Sequence, residues 1–215
     1  MKTMIAIPCM DMVHTIFMKS LLGMRKVPGT AYALSCSSLV YDARNSLVTQ
    51  AIEENFDRIL WLDSDMDLPP DLMTTLAADM DEGRDMVSGL YIRRREPVEP
   101  TIFKECCYYE GTNGIPEPHA DVYLDYPQDQ IFEIAACGFG GTMMSVAMAK
   151  RVKEEFGVPF SPLIGFGEDI SFCMRARELG YKIWCDSRPK IGHVGFWTVT
   201  ENTYLAARDA RNGKS

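Results

Sequence analysis

Two periodicities alternate along most of the chain. Short unbroken apolar runs, MIAIP, the stretch near TAYALSCSS, RILWL and DMVSGLYI, suit strands buried on both faces, and the segments between them repeat apolar residues at helical spacing. VHTIFMKSLLGM does so through Val13, Ile16, Phe17 and Leu21. DARNSLVTQAIEENF does so through Leu47, Val48, Ala51 and Ile52, with Asp42 placed to cap the helix. PPDLMTTLAADMDEG has proline at its start and Gly83 past its end, the asymmetry expected of a helix. Strands and helices in this alternation predict an α/β fold whose largely parallel sheet is covered on both faces.

Between about residues 93 and 132 the pattern dissolves into Pro, Gly, Tyr and charge, with short alternating pieces such as TIF and VYL. Irregular hairpins and loops are expected there, in a segment suited to substrate contacts. Order returns in IFEIAACGFGGTMMSV, read as strands around a glycine-rich turn. AMAKRVKEEFG and EDISFCMRARELG read as helices stopped by Gly157 and Gly180. The strand YKIWCD and a tail follow.

Composition narrows the class. With 47% hydrophobic and 24% charged residues the chain reads as an ordinary globular protein of one domain. It has no run of the roughly 18 apolar residues a membrane span needs. Pro8 and Asp11 interrupt what a signal peptide would need as its apolar region, so a cytoplasmic location is expected. Seven cysteines without CxxC spacing read as reduced thiols rather than a disulfide framework or a zinc site. A formal net charge of −8 argues against generic binding to nucleic-acid backbones. A small phosphorylated ligand is compatible with that charge if a metal ion supplies the positive field.

The chemistry concentrates in LDSDMD. RILWL ends at Leu62, so Asp63, Ser64, Asp65 and Asp67 fall on the turn at the carboxyl end of a strand, where ligands of α/β sheets bind. Turn chemistry and a helix start account for one aspartate. Three crowded carboxylates repel one another, and the absence of cysteine beside them points to a hard ion, Mn²⁺ or Mg²⁺. Two classes share such a strand-end DxD. Haloacid-dehalogenase-like phosphatases would use Asp63 as nucleophile, and GT-A glycosyltransferases hold a divalent ion on a nucleotide-sugar.

The stretch GFGEDISFCMRARELGYKIWCDSRPKIGHVG favours the second class. Its acidic pair Glu168-Asp169, the helix-ending Gly180, the strand KIWCD and His193 about two dozen residues after the pair resemble the C-terminal segment of family 2-like GT-A glycosyltransferases. IAIPC, ARNSLV, LDSDMDLPPDL, VSGLY and CGFGGTMMSV resemble earlier family segments in the same order. The resemblance implies a Rossmann-like α/β fold with a mixed, mostly parallel central sheet flanked by helices. It spans one domain over residues 1–215, with a nucleotide-binding half up to about residue 92 and an acceptor half after it.

It also implies roles. Asp65 would bind the metal directly, with Asp63 beside it through water or the ribose, and His193 as a third contact to ion or diphosphate. Asp67 would only begin the turn. Asp169 would be the general base toward an acceptor hydroxyl, with Glu168 orienting the acceptor. Pro8, Asp11, Asp63, Ser64 and Asp65 would line the nucleotide-sugar donor, UDP being the expected nucleotide, and Arg44 and Asn45 would help hold the nucleotide or the DxD loop. The acidic pair that many relatives carry after the second strand is missing from LSCSS, and this leaves base selection open. Gly138, Gly140 and Gly141 suit either a close approach of backbone to the sugar or a tight turn. Trp61 and Trp184 read as core, Trp197 as free to stack on a ligand. Arg93, Arg94 and Arg95 read as a solvated run or as steering for an anion. A nucleotide-sugar-binding module without turnover is a further alternative.

Overall fold

Strand β1 (Thr3–Cys9) sends Met4 and Ala6 to one face of the sheet and Ile5 and Ile7 to the other, and both sets are buried. Strand side chains alternate in this way, so a strand covered on both faces must be apolar throughout. The structure is a computed structural model that describes residues 1–111, 114–195 and 198–213.

After β1 come α1 (Thr15–Gly23), β2 (Thr30–Cys36), α2 (Val40–Glu53), β3 (Arg58–Leu62), the two-residue β4 (Met66–Asp67), α3 (Leu72–Asp81) and β5 (Met86–Gly89). The second half holds β6 (Ile102–Glu110), β7 (Pro116–Val122), β8 (Ile131–Ile134), β9 (Ala136–Cys137), β10 (Gly141–Ser145), α4 (Val146–Phe156), α5 (Glu168–Glu178), β11 (Ile183–Asp186), β12 (Gly192–Val194), β13 (Thr198–Val199) and α6 (Glu201–Arg211).

The seven-stranded main sheet has the order β2-β1-β3-β10-β5-β11-β8. Strands β2, β1, β3, β5 and β11 share one direction, and β10 and β8 oppose them. The fold is thus the α/β, Rossmann-like mixed sheet that the sequence predicts. Helices α1 and α3 cover one face through Phe17, Leu21, Leu72 and Leu76, packed with Leu60 and Leu62. Helices α2, α4 and α5 cover the other through Leu47, Val48, Val152 and Phe172, packed with Ile59 and Trp61. There Trp61, Phe139, Phe160 and Phe172 form a run of edge-to-face and stacked rings.

Several local expectations are corrected. Asp42 does not cap α2: the capping position is Leu39, without a side-chain bond, and Asp42 lies in the first turn, where the helix dipole still favours its charge. The irregular hairpin expected between about residues 93 and 132 is β6–β7, longer than the short pieces TIF and VYL suggest and with a register shift between Phe103 and Glu105. Tyr108 of this hairpin donates to the Ile164 carbonyl at 2.6 Å and meets Phe166 edge-on, so the hairpin braces the loop ahead of α5. The expected tail contains α6, started by a Thr200–Thr203 capping box and anchored through buried Tyr204. No helix among the described residues is long and apolar enough to cross a membrane.

Phe160 is fully buried among three aromatic side chains. Phe160→Ala is expected to cost about 3–5 kcal/mol, read as a lower urea midpoint at unchanged slope.

Candidate functional site

The turn after β3 is fixed by its carbonyls. Met66 N donates to Asp63 O at 3.3 Å, His14 N to Ser64 O at 3.1 Å and Val194 N to Asp65 O at 2.7 Å. The turn closes on itself at Asp63, while elements distant in sequence grip the backbone of Ser64 and Asp65 from the outside, and the side chains are left to other partners. Asp67 lies within β4 opposite Gly192, so it belongs to a small sheet rather than merely beginning the turn.

The two motif carboxylates face different cations. Asp63 Oδ1 accepts from Arg44 Nη2 at 2.8 Å, and Asp65 Oδ2 forms an ion pair with Arg94 Nη1 at 2.8 Å. Mutual repulsion therefore does not by itself demand a metal ion here, because each carboxylate already has a guanidinium. Arg94 Nη1 also donates to Val194 O at 2.9 Å, and the arginine run is thereby part of the site. Sequence gave no sign of this pairing beyond the density of charge in RRR.

Arg44 is the second bridge. It is 2% exposed, and its Nε donates to Glu168 Oε1 at 3.1 Å. The guanidinium lies 5.4 to 5.9 Å from the ring centres of Trp61, Phe139 and Phe160, within cation–π range. Burial works against its charge, but Asp63, Glu168 and Asp169 outweigh burial and hold its pKa above the ordinary value. Its neighbour Asn45 serves another purpose: Oδ1 accepts from Phe160 N at 3.0 Å and fastens the loop that leads toward α5.

Glu168 and Asp169 open α5, where the helix dipole favours acidic groups. Asp169 Oδ1 accepts from the Ile170 N–H at 2.8 Å. Burial, then the neighbouring Glu168 carboxylate, push its pKa up to about 6, against the opposing pull of the Ile170 N–H and Arg44. The result is a carboxylate that is a stronger base than a solvated aspartate and is still ionised at neutral pH.

His193, on β12, is half-buried against Tyr91 with rings edge to face at 5.6 Å. Its Nδ1 lies 3.0 Å from the Ile92 carbonyl, which can only accept, so Nδ1 carries a proton. In the neutral ring the Nε2 lone pair then faces Asp65 Oδ2 at 3.5 Å. An imidazole whose other nitrogen donates to a backbone carbonyl, together with one carboxylate, can serve Mn²⁺, whereas Mg²⁺ would draw on the carboxylate oxygen alone. No group of three or more His, Cys, Asp or Glu among the described residues is placed to hold an ion, so its remaining positions would fall to ligand oxygens. Burial pushes the Asp65 carboxyl up, but Arg94 and, when its ring is protonated and donates from Nε2, His193 outweigh it and hold it below its usual range.

The glycine-rich turn packs against this pair. A methyl at Gly138 would overlap the Tyr91 hydroxyl, and one at Gly140 would lie 3.1 Å from its ring. Gly140 N donates to that hydroxyl at 3.2 Å. The glycines admit Tyr91, which sequence reading did not single out, and Tyr91 in turn supports His193. Pro8 is buried in β1 opposite Ser35, and Asp11 is exposed on the following loop, which lines a cavity of about 510 Å³. A neighbouring cavity of about 680 Å³ is lined by His14, Arg94, Arg95, Glu96, Val98, Gly195 and Val199. Trp61 is fully buried and Trp184 half-buried, whereas Trp197 lies outside the described residues.

No protein-family model and no curated protein matches the chain. Among solved structures, the crystal structure of A197 from STIV is similar, with a TM-score of 0.66 at 19% identity over 91% of this chain and 86% of that one. Likeness at this level establishes a shared fold, and chemistry must be argued from the site.

Two outcomes follow from these contacts. Arg44→Met strands Asp63 and Glu168 without their counter-charge and should cost about 3 kcal/mol in urea unfolding, while Arg44→Lys, keeping charge but not the two-way bridge, should fall between. Asp169 has a raised pKa in the folded state, so between pH 4 and 6 the native protein binds the extra proton and loses stability as pH rises. Asp169→Asn lacks that proton linkage. Its stability relative to wild type should rise from pH 4 to 6 and level off above, as measured by denaturant titration at each pH.

Proposed function

We propose that the chain is a metal-dependent GT-A glycosyltransferase that moves a sugar from a nucleotide-diphosphate donor, with UDP as the nucleotide, to a hydroxyl acceptor. The observation that carries this reading is the pair of hydrogen bonds made by Arg44. They hold the DSD turn and the start of the Glu168-Asp169 helix on one guanidinium, and so bring a donor-binding turn and a base side by side.

Asp65 and His193 would hold Mn²⁺, or Asp65 alone Mg²⁺, and the ion supplies positive charge opposite a diphosphate leaving group. Arg94 and Arg95, on the rim of the larger cavity, add positive charge where an acidic protein must accept an anion. Asp63, fixed by Arg44, faces the donor side with Ser64, while Pro8 and Asp11 border the nucleobase. Asp169 takes the acceptor hydroxyl proton at its carboxylate as that oxygen attacks the anomeric carbon. Glu168, held by Arg44, orients the acceptor. The phosphatase alternative needs Asp63 free to attack phosphorus, and its ion pair with Arg44 weighs against that role. A cytoplasmic location agrees with seven free cysteines.

Thermal shift with UDP, ADP and GDP, each with and without Mn²⁺, tests the reading, because a ligand of the native state raises the melting temperature. UDP with Mn²⁺ should give the largest shift. Asp65→Ala should abolish it, and Asp169→Asn should keep it while lowering UDP release from UDP-sugars about 100-fold or more. Normal metal-dependent donor binding by Asp65→Ala overturns the site. Binding without UDP release by wild type, whatever acceptor is offered, identifies a binding module instead.

A further inference from the structure

Cys9 and Cys36 end two neighbouring parallel strands at the same level. They are partners in the β1–β2 register, and their Sγ atoms lie 3.5 Å apart. Cys36 is exposed and Cys9 half-buried, whereas Cys106, Cys137, Cys173 and Cys185 are buried. A disulfide needs Cα atoms roughly 4.4–6.8 Å apart, and neighbouring strands lie about 4.7–4.9 Å apart, inside that window. Rotation of two side chains at a strand end brings the sulfurs from 3.5 Å to the bonding distance of about 2.05 Å. Strand β2 is the outermost strand of its sheet, so nothing in that sheet packs beyond it to resist the adjustment.

We propose that Cys9 and Cys36 form a redox-active dithiol, a modification site that reacts with a small disulfide such as glutathione disulfide and closes to a strand-to-strand disulfide. Cys36 is the exposed member of the pair and so makes the opening attack, while burial, Cys36 and the nearby Asp11 push the half-buried Cys9 thiol up. The Cys36 thiolate attacks one sulfur of glutathione disulfide, the S–S bond breaks, and one glutathione thiolate leaves and takes up a proton. Cys9 then gives up its proton and attacks the Cys36 sulfur of the mixed disulfide, expelling the second glutathione. Two protein thiols are oxidised by two electrons and one glutathione disulfide is reduced to two thiols. Disulfides of reducing compartments are mostly of this transient kind.

The bond would tie down both following loops. Ser37 N already donates to Cys9 O at 3.2 Å, and the loop after Cys9 leads to His14, which holds the Ser64 carbonyl. A staple at Cys9 therefore restrains the backbone that runs to the DSD turn. Its effect on donor binding rests on the function proposed above; its formation does not.

The full chain is equilibrated in glutathione and glutathione disulfide at graded ratios, quenched by alkylation and read by peptide mass. Wild type should lose Cys9 and Cys36 from the alkylatable pool together, at one midpoint, with the linked Cys9–Cys36 peptide appearing and dithiothreitol reversing it. Cys9→Ser should stop at a glutathione adduct on Cys36, and Cys36→Ser should leave Cys9 alkylatable. Both variants keep a thiol-sized side chain at a strand end, and their melting temperatures show whether they fold. The oxidised wild type should melt about 5–10 °C above the reduced form without any nucleotide. A stable glutathione adduct on wild-type Cys36, a link to another cysteine or another chain, or two thiols that stay reduced while other cysteines oxidise would each overturn the proposal. The UDP-induced shift, compared between the two redox forms, reads the consequence for the donor and can fail separately.

Discussion

The buried charge of Arg44 is the constraint around which the rest of the cleft is arranged. A guanidinium withdrawn from water is costly unless its field is met nearby, and here it is met by Asp63 from the turn after β3 and Glu168 from the start of α5. Those two carboxylates lie on segments that share no sheet pairing, so the ion pairs fix their relative position where backbone hydrogen bonds do not. The aromatic floor of Trp61, Phe139 and Phe160 takes part in the same arrangement, because it removes the solvent that would weaken both ion pairs and offers the cation its ring faces.

A second electrostatic unit stands beside the first. Asp65 meets Arg94 and His193, and His193 is oriented from behind by the Ile92 carbonyl and Tyr91. Each aspartate of the DSD turn is thus assigned to a different guanidinium, with Ser64 between them pinned by its carbonyl. The separation explains why Asp65 is the more acidic carboxylate and Asp169 the more basic: the first lies against the Arg94 guanidinium and His193, the second has burial and a carboxylate neighbour.

Much of this was legible in the sequence where local physics is strong. Strands β1 and β3 are buried on both faces and so appear as unbroken apolar runs, and α4 and α5 end near Gly157 and Gly180, whose φ of 77° and 88° suit glycine. Helix α6 was missed because its inward stripe has little beyond Tyr204 and Leu205, too few apolar residues for a period to register, and only TENT marked its start. Strand β7 reads PEPHADV and is largely exposed, so no alternation was present to find. In the site, the acidic motifs were visible as motifs. Arg44 was marked as a support of the nucleotide or the DxD loop, but that it also meets Glu168 across 124 positions, and that Arg94 meets Val194 across 100, no local pattern encodes.

Strand β10 carries a further consequence. It enters antiparallel between β3 and β5, although it follows both in sequence by a long excursion through the β6–β7 hairpin. A nascent chain that has emerged only as far as β5 therefore has a three-stranded fragment, β2-β1-β3, and a lone β5 with nothing to join them. The inner edge of β3, apolar on both faces, stays open until the second half arrives, and an open edge of this kind invites pairing with other chains. The stretches before and after residue 92 are therefore not separate folding units, and a truncation there would leave the centre of the sheet unfilled.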